Sequence, residues 1–251
     1  MDVLSSLAEK IAYLVSVLGF GQTGWGLYLL AGASMTVAVT LAAMIIGAVV
    51  GSLVAWAKLS RNWPARLIGN IYTIVLRGAP ELLIIYMVYF GKVVDGIGNT
   101  LDALSLANGS IVNNFLAGAL GVGLISAAYQ AEVFRGAFIS IAKGELEAAR
   151  ALGMPRFMQF RRIIAPQIMR FAIPGLGNVW QLSVKDSALI SITGLVEIMN
   201  ATNKAVGSTK QPFLFYVTGA CLYLVLTSFS TRVFDAGERR VAKSFRRPVG
   251  M

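Results

Sequence analysis

Long apolar runs separated by short charged segments dominate the chain. A membrane-spanning helix needs about 20 mostly apolar residues, and four runs meet this requirement: Leu27–Ala57, Ile111–Phe134, Phe171–Met199 and Pro212–Phe234. A fifth, shorter run extends from about Pro80 to Ile97, and Pro80 suits the first turn of its helix because proline lacks the N–H that is unpaired there anyway. The pattern predicts an all-α integral membrane protein with five transmembrane helices.

The two ends of the chain differ from this apolar middle. Asp2 and Glu9 accompany Lys10 in the first ten residues, which is not the charge pattern of a cleavable signal peptide. The apolar run that follows is too short to span a membrane, so residues 3–20 are expected to form an interfacial helix. We predict an extracytoplasmic or interfacial segment at 1–24, a transmembrane domain at 25–236 and a basic cytoplasmic tail at 237–251.

Composition excludes the common soluble classes. Hydrophobic residues make up 56% of the chain and charged residues only 14%, whereas a soluble domain has about 25% charged residues. Lys and Arg number 22 against 12 Asp and Glu, a net charge of +10. A nucleic-acid surface can produce this excess, but here the basic residues flank long apolar runs, so they indicate membrane asymmetry.

The basic residues also predict an orientation. Of the 22, 17 fall in alternate segments: after the first run, between the third and fourth, and at the C-terminus. The intervening loops hold only Lys92, Lys204 and Lys210. Cytoplasmic loops are rich in Lys and Arg, which predicts an outside N-terminus and a cytoplasmic C-terminus.

Two absences restrict the chemistry. The chain has no histidine and one cysteine, Cys221, so His-based catalysis, His-ligated metals and an intrachain disulfide are excluded. No GxxxxGK[ST] phosphate-binding loop occurs, and the nearest phrase, at residues 207–210, has the wrong order. We therefore expect no catalytic residue, metal or cofactor in this chain.

A segment at about 143–167 separates the third and fourth long runs. Glu145–Leu152 is rich in strong helix formers, Gly153 suits a C-terminal cap, and Pro155 can start a second helix. The pattern predicts a cytoplasmic helix–turn–helix held at both ends by membrane spans, a shape that suits docking into a partner's cleft. A solvated basic loop is the alternative interpretation.

At these residues the chain resembles the permeases of ATP-binding-cassette (ABC) importers. Glu147, Ala148, Ala149, Gly153, Ile163 and Pro166 match their EAA coupling motif, with Ala165 in place of a leucine. Further segments are similar to the polar amino-acid and opine uptake subfamily: Gly32–Thr40, Arg77–Pro80, Ala131–Gly136, Pro174–Asn178, Lys185–Leu189, Ser208–Phe213 and Glu238–Arg240. The last two of these segments resemble the Q-type subunits of that subfamily.

The resemblance implies a type I ABC importer permease fold in the bacterial inner membrane. It implies a homologous, M-type permease partner, two ATP-binding subunits that hold ATP and Mg²⁺, and an extracytoplasmic solute-binding protein. The six EAA-motif residues would couple ATP-driven closure of the ATP-binding subunits to the pathway. The implied solutes are histidine, lysine, arginine, ornithine or opines such as octopine and nopaline.

Polar residues inside the runs are candidates for the solute pathway, because charges there are costly. Glu81 either pairs with a cationic solute or forms a local pair with Arg77. Glu132 either pairs with Arg135, three positions along the helix, or lines the pathway beside Tyr129. Glu197, near the outer end of its run, is expected to be hydrated.

The fourth run carries the other pathway candidates. Asn178, Gln181 and Lys185 recur at helical spacing on one face, which predicts a polar stripe facing the pathway or a subunit interface. Asp186 faces elsewhere and suits a basic group of the partner subunit.

Three other functions stay open at the sequence level. A stand-alone channel or secondary carrier could use the same carboxylates but would leave the EAA segment without a purpose. A membrane enzyme would need a nucleophile or metal group that the sequence does not offer. A third possibility is a permease of the same family that carries other polar amino acids and pairs with a second copy of itself.

Overall fold

Every regular element in the described part of the chain is helical. The computed structural model describes residues 13, 15–21, 24–103 and 109–244. Most of the predicted interfacial helix at 3–20 and the last residues of the basic tail lie outside these ranges. The α-helices in order are α1 (Gly26–Leu59), α2 (Trp63–Gly78), α3 (Glu81–Phe90), α4 (Asp95–Ala103), α5 (Gly109–Ile139), α6 (Lys143–Ala151), α7 (Arg156–Gln159), α8 (Ala165–Asp186), α9 (Ile198–Thr209) and α10 (Pro212–Ser244).

Within the residues that the structure describes, three helices are long and apolar enough to cross a membrane. They are α1, α5 and the Pro212–Val241 part of α10. Their bounds contain the predicted runs Leu27–Ala57, Ile111–Phe134 and Pro212–Phe234, which confirms these three predictions. Large apolar side chains such as Ile45, Trp56 and Phe229 remain at least 66% exposed on them, as lipid-facing surfaces do.

The predicted run at Pro80–Ile97 is not one straight helix. The structure has a bent pair instead, in which α2 and α3 meet at 104°. Ala79 between them is extended, at φ −82° and ψ 148°, because a residue that precedes proline is disfavoured in the helical region. Helix α3 ends at Phe90, and Lys92 follows with a positive φ of 53°. The run is therefore the second half of an element that begins at Trp63.

The predicted run Phe171–Met199 is also interrupted. Helix α8 ends at Asp186, a 3₁₀ segment follows at Ser187–Thr193, and Gly194 has a φ of +82° before α9 begins. The break keeps its backbone paired: the Ile198 N–H donates to Thr36 Oγ1 at 3.2 Å, and Asn200 Nδ2 donates to the Ser191 carbonyl at 3.0 Å. Irregular backbone at membrane depth is tolerated where it is buried in protein in this way.

The core lies where α1 packs along α5, the most extensive helix pair in the described chain. Gly47 and Gly51 on α1 allow the close approach, because a Cβ at Gly47 would lie 2.2 Å from Gln130 Nε2, and one at Gly51 would lie 2.9 Å from the Ala127 carbonyl oxygen. The buried Gln130 amide donates to the Met44 carbonyl at 3.2 Å. Small residues and an interhelical hydrogen bond thus hold these helices together, as is typical of membrane proteins.

Candidate functional site

The segment between α5 and α8 turns sharply at Gly153. The Gly153 N–H donates to the Arg150 carbonyl at 2.9 Å, and the Met154 N–H donates to the Ala149 carbonyl at 3.0 Å. This pair of bonds is a Schellman motif, and it requires the positive φ of +68° that Gly153 adopts. Gly153 therefore caps α6, and Pro155 directly precedes α7.

The residues of the EAA pattern have different surroundings. Glu147 and Ala148 are exposed on α6, whereas Ala149 is buried. Ile163 lies in a π-helical turn at Phe160–Ile164, and Pro166 lies in the first turn of α8. The Gln167 amide on α8 donates to the Glu145 carboxylate on α6, so the two ends of the segment are tied to each other.

Two large apolar side chains project from this turn. Leu152 is 82% exposed and Phe157 is 75% exposed, one on each side of the Gly153 turn. A groove beside them is lined by Arg150, Gly153, Met154, Pro155, Arg156 and Gln159. Leu152 and Phe157 were not among the predicted coupling residues, and the signal for them in the sequence was their position next to the predicted cap.

Two carboxylates lie at the helix ends where the bent pair meets the interrupted fourth run. Glu81 is the first residue of α3 and Asp186 is the last residue of α8. Ile85 of α3 and Ile190 of the 3₁₀ segment share one buried cluster, so the two breaks adjoin. Asp186 lies within electrostatic range of the Glu81 carboxylate and of the neighbouring Lys185 ammonium. Both carboxylates are partly buried, a setting in which a cation bound between them would relieve like-charge repulsion.

The alternative local pair between Glu81 and Arg77 does not form. Within the described part of the chain, Glu132 pairs with Lys58 and Arg135, and no ion pair joins Arg77 to Glu81. The helix breaks between Arg77 and Glu81, so the four-residue spacing does not place them on one helical face. The Arg77 guanidinium lies over the Tyr129 ring instead, with Cζ 5.2 Å from the ring centroid.

Glu132 lies in an ionic cluster that joins three helices. Arg135 Nε donates to Glu132 Oε2 at 2.9 Å, which confirms the predicted pair on α5. The other carboxylate oxygen accepts from Lys58 in the last turn of α1, and the same ammonium donates to Thr73 Oγ1 of α2 at 2.8 Å. In the sequence, Lys58 serves only as a marker of the cytoplasmic side, and nothing in the local sequence indicates its ionic partner.

The polar stripe on α8 is divided by the structure. Asn178 and Lys185 are exposed, while Gln181 is partly buried and its amide donates to Thr231 Oγ1 of α10 at 3.0 Å. Gln181 therefore forms a hydrogen bond within the chain, and of the three stripe residues only Asn178 and Lys185 remain exposed.

The prediction that Glu197 is hydrated is wrong. Its side chain is fully buried and caps α9, accepting from the N–H groups of Met199 at 2.8 Å and Asn200 at 2.6 Å. The Tyr223 hydroxyl of α10 donates a third bond at 2.8 Å. A helix N-terminus favours a negative charge, so the carboxylate stabilises the start of α9.

Known proteins resemble this arrangement over most of the chain. Residues 47–243 match the family model described as "Binding-protein-dependent transport system inner membrane component". The octopine transport system permease protein OccQ of Rhizobium meliloti is 47% identical, covering 94% of this chain and 99% of that protein. The nopaline permease NocQ of Agrobacterium fabrum is 45% identical, covering 90% and 95%. The histidine/lysine/arginine/ornithine permease HisQ of Escherichia coli is 36% identical, covering 89% and 97%.

Solved structures show the same fold. A chain of an amino acid ABC transporter crystallised with histidines superposes with a TM-score of 0.70 at 29% identity, covering 86% of this chain and 95% of that one. A chain of the inward-facing MetNI methionine ABC transporter reaches the same TM-score at 18% identity, covering 85% and 96%; at that identity the likeness concerns the fold alone.

Proposed function

The chain belongs to the family of inner-membrane components of binding-protein-dependent transport systems, and on this premise we propose that it is the permease subunit of an ATP-driven importer of basic amino acids or opines. The family match over residues 47–243 carries this conclusion. Relatives named for octopine, nopaline and histidine/lysine/arginine/ornithine support the solute class. The permease itself would contribute a pathway and no catalytic chemistry.

The carboxylates of Glu81 and Asp186 fit the charge of such solutes. Guanidinium and ammonium groups form charge-assisted hydrogen bonds with carboxylates, and these are stronger in a site of low dielectric constant. Glu81 and Asp186 each lie next to a helix break, where backbone groups can face a solute without forming a lipid-exposed loop. We assign Glu81 and Asp186 as contacts of the cationic group, with Asn178 and Lys185 on the exposed face of the same helix, α8.

Glu132, Tyr129 and Gln181 have partners within the chain. Glu132 binds Lys58 and Arg135, Tyr129 carries the Arg77 guanidinium, and Gln181 bonds Thr231. These contacts favour a role in holding the pathway helices in place over direct contact with solute.

The coupling segment at about 143–167 would dock on an ATP-binding subunit. Exposed Leu152 and Phe157 suit apolar pockets on the partner, and Glu147 and Ala148 lie on the same short helix–turn unit. Ile163 and Pro166 would set the direction in which α8 leaves it. ATP and Mg²⁺ would bind to the partner subunits, whose closure shifts the population between inward- and outward-facing pathways. This chain would pair with an M-type permease and receive solute from a binding protein.

The topology that accompanies this function has five spans. They would be α1, the bent pair α2–α3, α5, the broken element α8–α9 and α10. The basic residues support an outside N-terminus and a cytoplasmic C-terminus, which places the coupling segment on the side of the ATP-binding subunits.

Uptake by the reconstituted complex tests the proposal. The permease would be co-expressed with its permease partner and ATP-binding subunit, and the purified complex placed in liposomes with ATP inside and binding protein outside. Uptake of radiolabelled arginine, lysine, histidine, octopine and nopaline should depend on ATP and on the binding protein for at least one of these solutes. Uptake that needs neither ATP nor a co-purifying ATP-binding subunit would favour a stand-alone carrier instead.

A further inference from the structure

Lys58 connects three helices through one side chain. It lies in the last turn of α1, its side chain is 9% exposed, and its ammonium bonds Thr73 of α2 and Glu132 of α5. The structure assigns to Lys58 a positioning role: Lys58 ties α5, and the coupling helix α6 that follows α5, to α1 and α2. A movement of the coupling helix would therefore be transmitted to α1 and α2. This inference rests on the proposed function, since it concerns how an ATP-driven movement would be transmitted.

Two residues of α2 determine the path of the Lys58 side chain. Gly69 is buried, and a Cβ there would lie 2.7 Å from Lys58 Cγ and 3.3 Å from the Val54 carbonyl oxygen. The absence of a side chain at this position lets the lysine stem cross α2 to reach Glu132. Thr73, one turn further along α2, accepts from the ammonium and donates to the Asn70 carbonyl at 3.1 Å. Gly69 thus leaves space for the extended Lys58 side chain, and Thr73 binds its ammonium group.

Glu132 is well placed to receive a movement from the coupling helix. It lies seven residues before Ile139, the last residue of α5, which is two helical turns or about 10 Å. Only residues 140–142 separate α5 from α6. The bond of Glu132 to Arg135 lies within α5, whereas its bond to Lys58 crosses to another helix. The Lys58–Glu132 pair is therefore the ionic link through which this end of α5 can pull on α1 and α2.

The pair is protected enough to act as a firm link. The side chain of Glu132 is 24% exposed and that of Lys58 only 9%. Ion pairs at exposed sites are weak because water screens them and their side chains lose freedom. Breaking the pair would leave the largely buried Lys58 ammonium without its counter-charge, which is strongly unfavourable, so the two helices should move together.

The test is a comparison of ATP hydrolysis with uptake in the reconstituted complex. Lys58→Met keeps the apolar stem and removes the charge. We expect the assembled complex to keep ATP hydrolysis within about twofold, while solute uptake per ATP falls roughly tenfold or more. Lys58→Arg should restore at least half of the wild-type ratio, and Arg61→Met, which alters an exposed basic residue three positions away, should leave the ratio unchanged.

A second variant leaves both charges intact. Gly69→Val would displace the Lys58 stem and should lower the ratio as Lys58→Met does, whereas Gly136→Val on α5, where a Cβ meets nothing within 4 Å, should not. Because both changes act on one contact, the double variant Lys58→Met/Gly69→Val should be no worse than the poorer single variant.

The outcomes separate the two proposals. An unchanged uptake-to-hydrolysis ratio in Lys58→Met, or a parallel loss of hydrolysis, uptake and complex assembly, would overturn the positioning role of Lys58. A wild-type complex that takes up none of the solutes in an ATP-dependent way would overturn the proposed function itself.

Discussion

Single carboxylates in this chain have very different roles, which their surroundings decide. Glu197 is enclosed by two backbone N–H groups and the Tyr223 hydroxyl. Glu132 is neutralised by Lys58 and Arg135. Glu81 has a second carboxylate, Asp186, within electrostatic range. Only the last arrangement gains from the arrival of a cation, so Glu81 is the carboxylate whose charge should matter most for solute.

Replacement of Glu81 tests this directly. Glu81→Gln removes one charge-assisted bond to the solute, worth about 1.5–3 kcal/mol, so the apparent affinity for arginine or lysine during uptake should fall by about 10- to 100-fold. Glu81→Lys should abolish uptake of cationic solutes while the complex still assembles. Glu238→Lys, at an exposed site on α10, serves as the control. Unaltered arginine and lysine uptake by Glu81→Lys would show that Glu81 does not contact solute.

At the scale of elements, the ends of the helices carry the functional geometry. Gly153 ends α6 and sets the angle at which α7 leaves, and Glu197 starts α9 after the broken region. The bend of 104° between α2 and α3 places Glu81 at a helix N-terminus. The residues assigned to the proposed solute site and coupling turn thus lie where helices begin or end.

The cap at Gly153 predicts a docking defect. Gly153→Val forces a β-branched residue to a φ of +68°, a conformation that costs an L-residue about 1–2 kcal/mol or more. The turn should rearrange, and co-purification of the ATP-binding subunits should drop several-fold at equal permease expression. Gly144→Val, on the same short helix with open space around its Cβ, is the matched control. Equal recovery of ATP-binding subunits with both variants would contradict a docking role for this turn.

The buried cap at Glu197 predicts a stability defect. Glu197→Ala leaves two helix N–H groups and the Tyr223 hydroxyl without their acceptor, and loss of a cap costs about 0.5–2 kcal/mol before the unpaired hydroxyl is counted. The detergent-purified permease should unfold several degrees lower in a thermal scan. Glu238→Ala, which removes an exposed carboxylate, should have little effect. A melting temperature equal to wild type would mean that α9 does not depend on this cap.

At the scale of the whole molecule, apolar surface and basic charge together suggest how the chain sits in a membrane. The long helices α1 and α10 expose large apolar side chains, such as Trp56 at 73% and Phe229 at 67%. Basic residues collect at the end of α1, in the coupling segment and near the end of α10. This distribution favours one orientation, with the coupling segment in the cytoplasm.

Cysteine labelling tests this orientation. In a Cys221→Ser background, Ser208→Cys near the end of α9 should react with an impermeant maleimide in spheroplasts. Ser140→Cys, between α5 and the coupling helix, should react only after the membrane is permeabilised. Both serines are exposed in the structure, so burial would not hide either site. The reverse pattern of labelling would contradict the proposed topology.

Properties that depend on each residue's own chemistry and its near neighbours could be predicted before the fold was known. Apolar runs identified three of the long helices, local helix formers with glycine identified the cap at Gly153, and spaced motifs identified the family. The pair of Glu132 with Arg135 was also predictable, because one helical turn fixes their distance.

Which apolar runs break and which charges meet depends on contacts between distant parts of the chain. The run at 171–199 is apolar enough to cross a membrane, but its break is held by Thr36, which lies 162 positions from Ile198. Lys58 and Glu132 are 74 positions apart, and the local sequence around either one does not specify the other. Hydropathy belongs to single residues, whereas a buried charge or an interrupted helix is stable only when distant parts of the chain supply its partners.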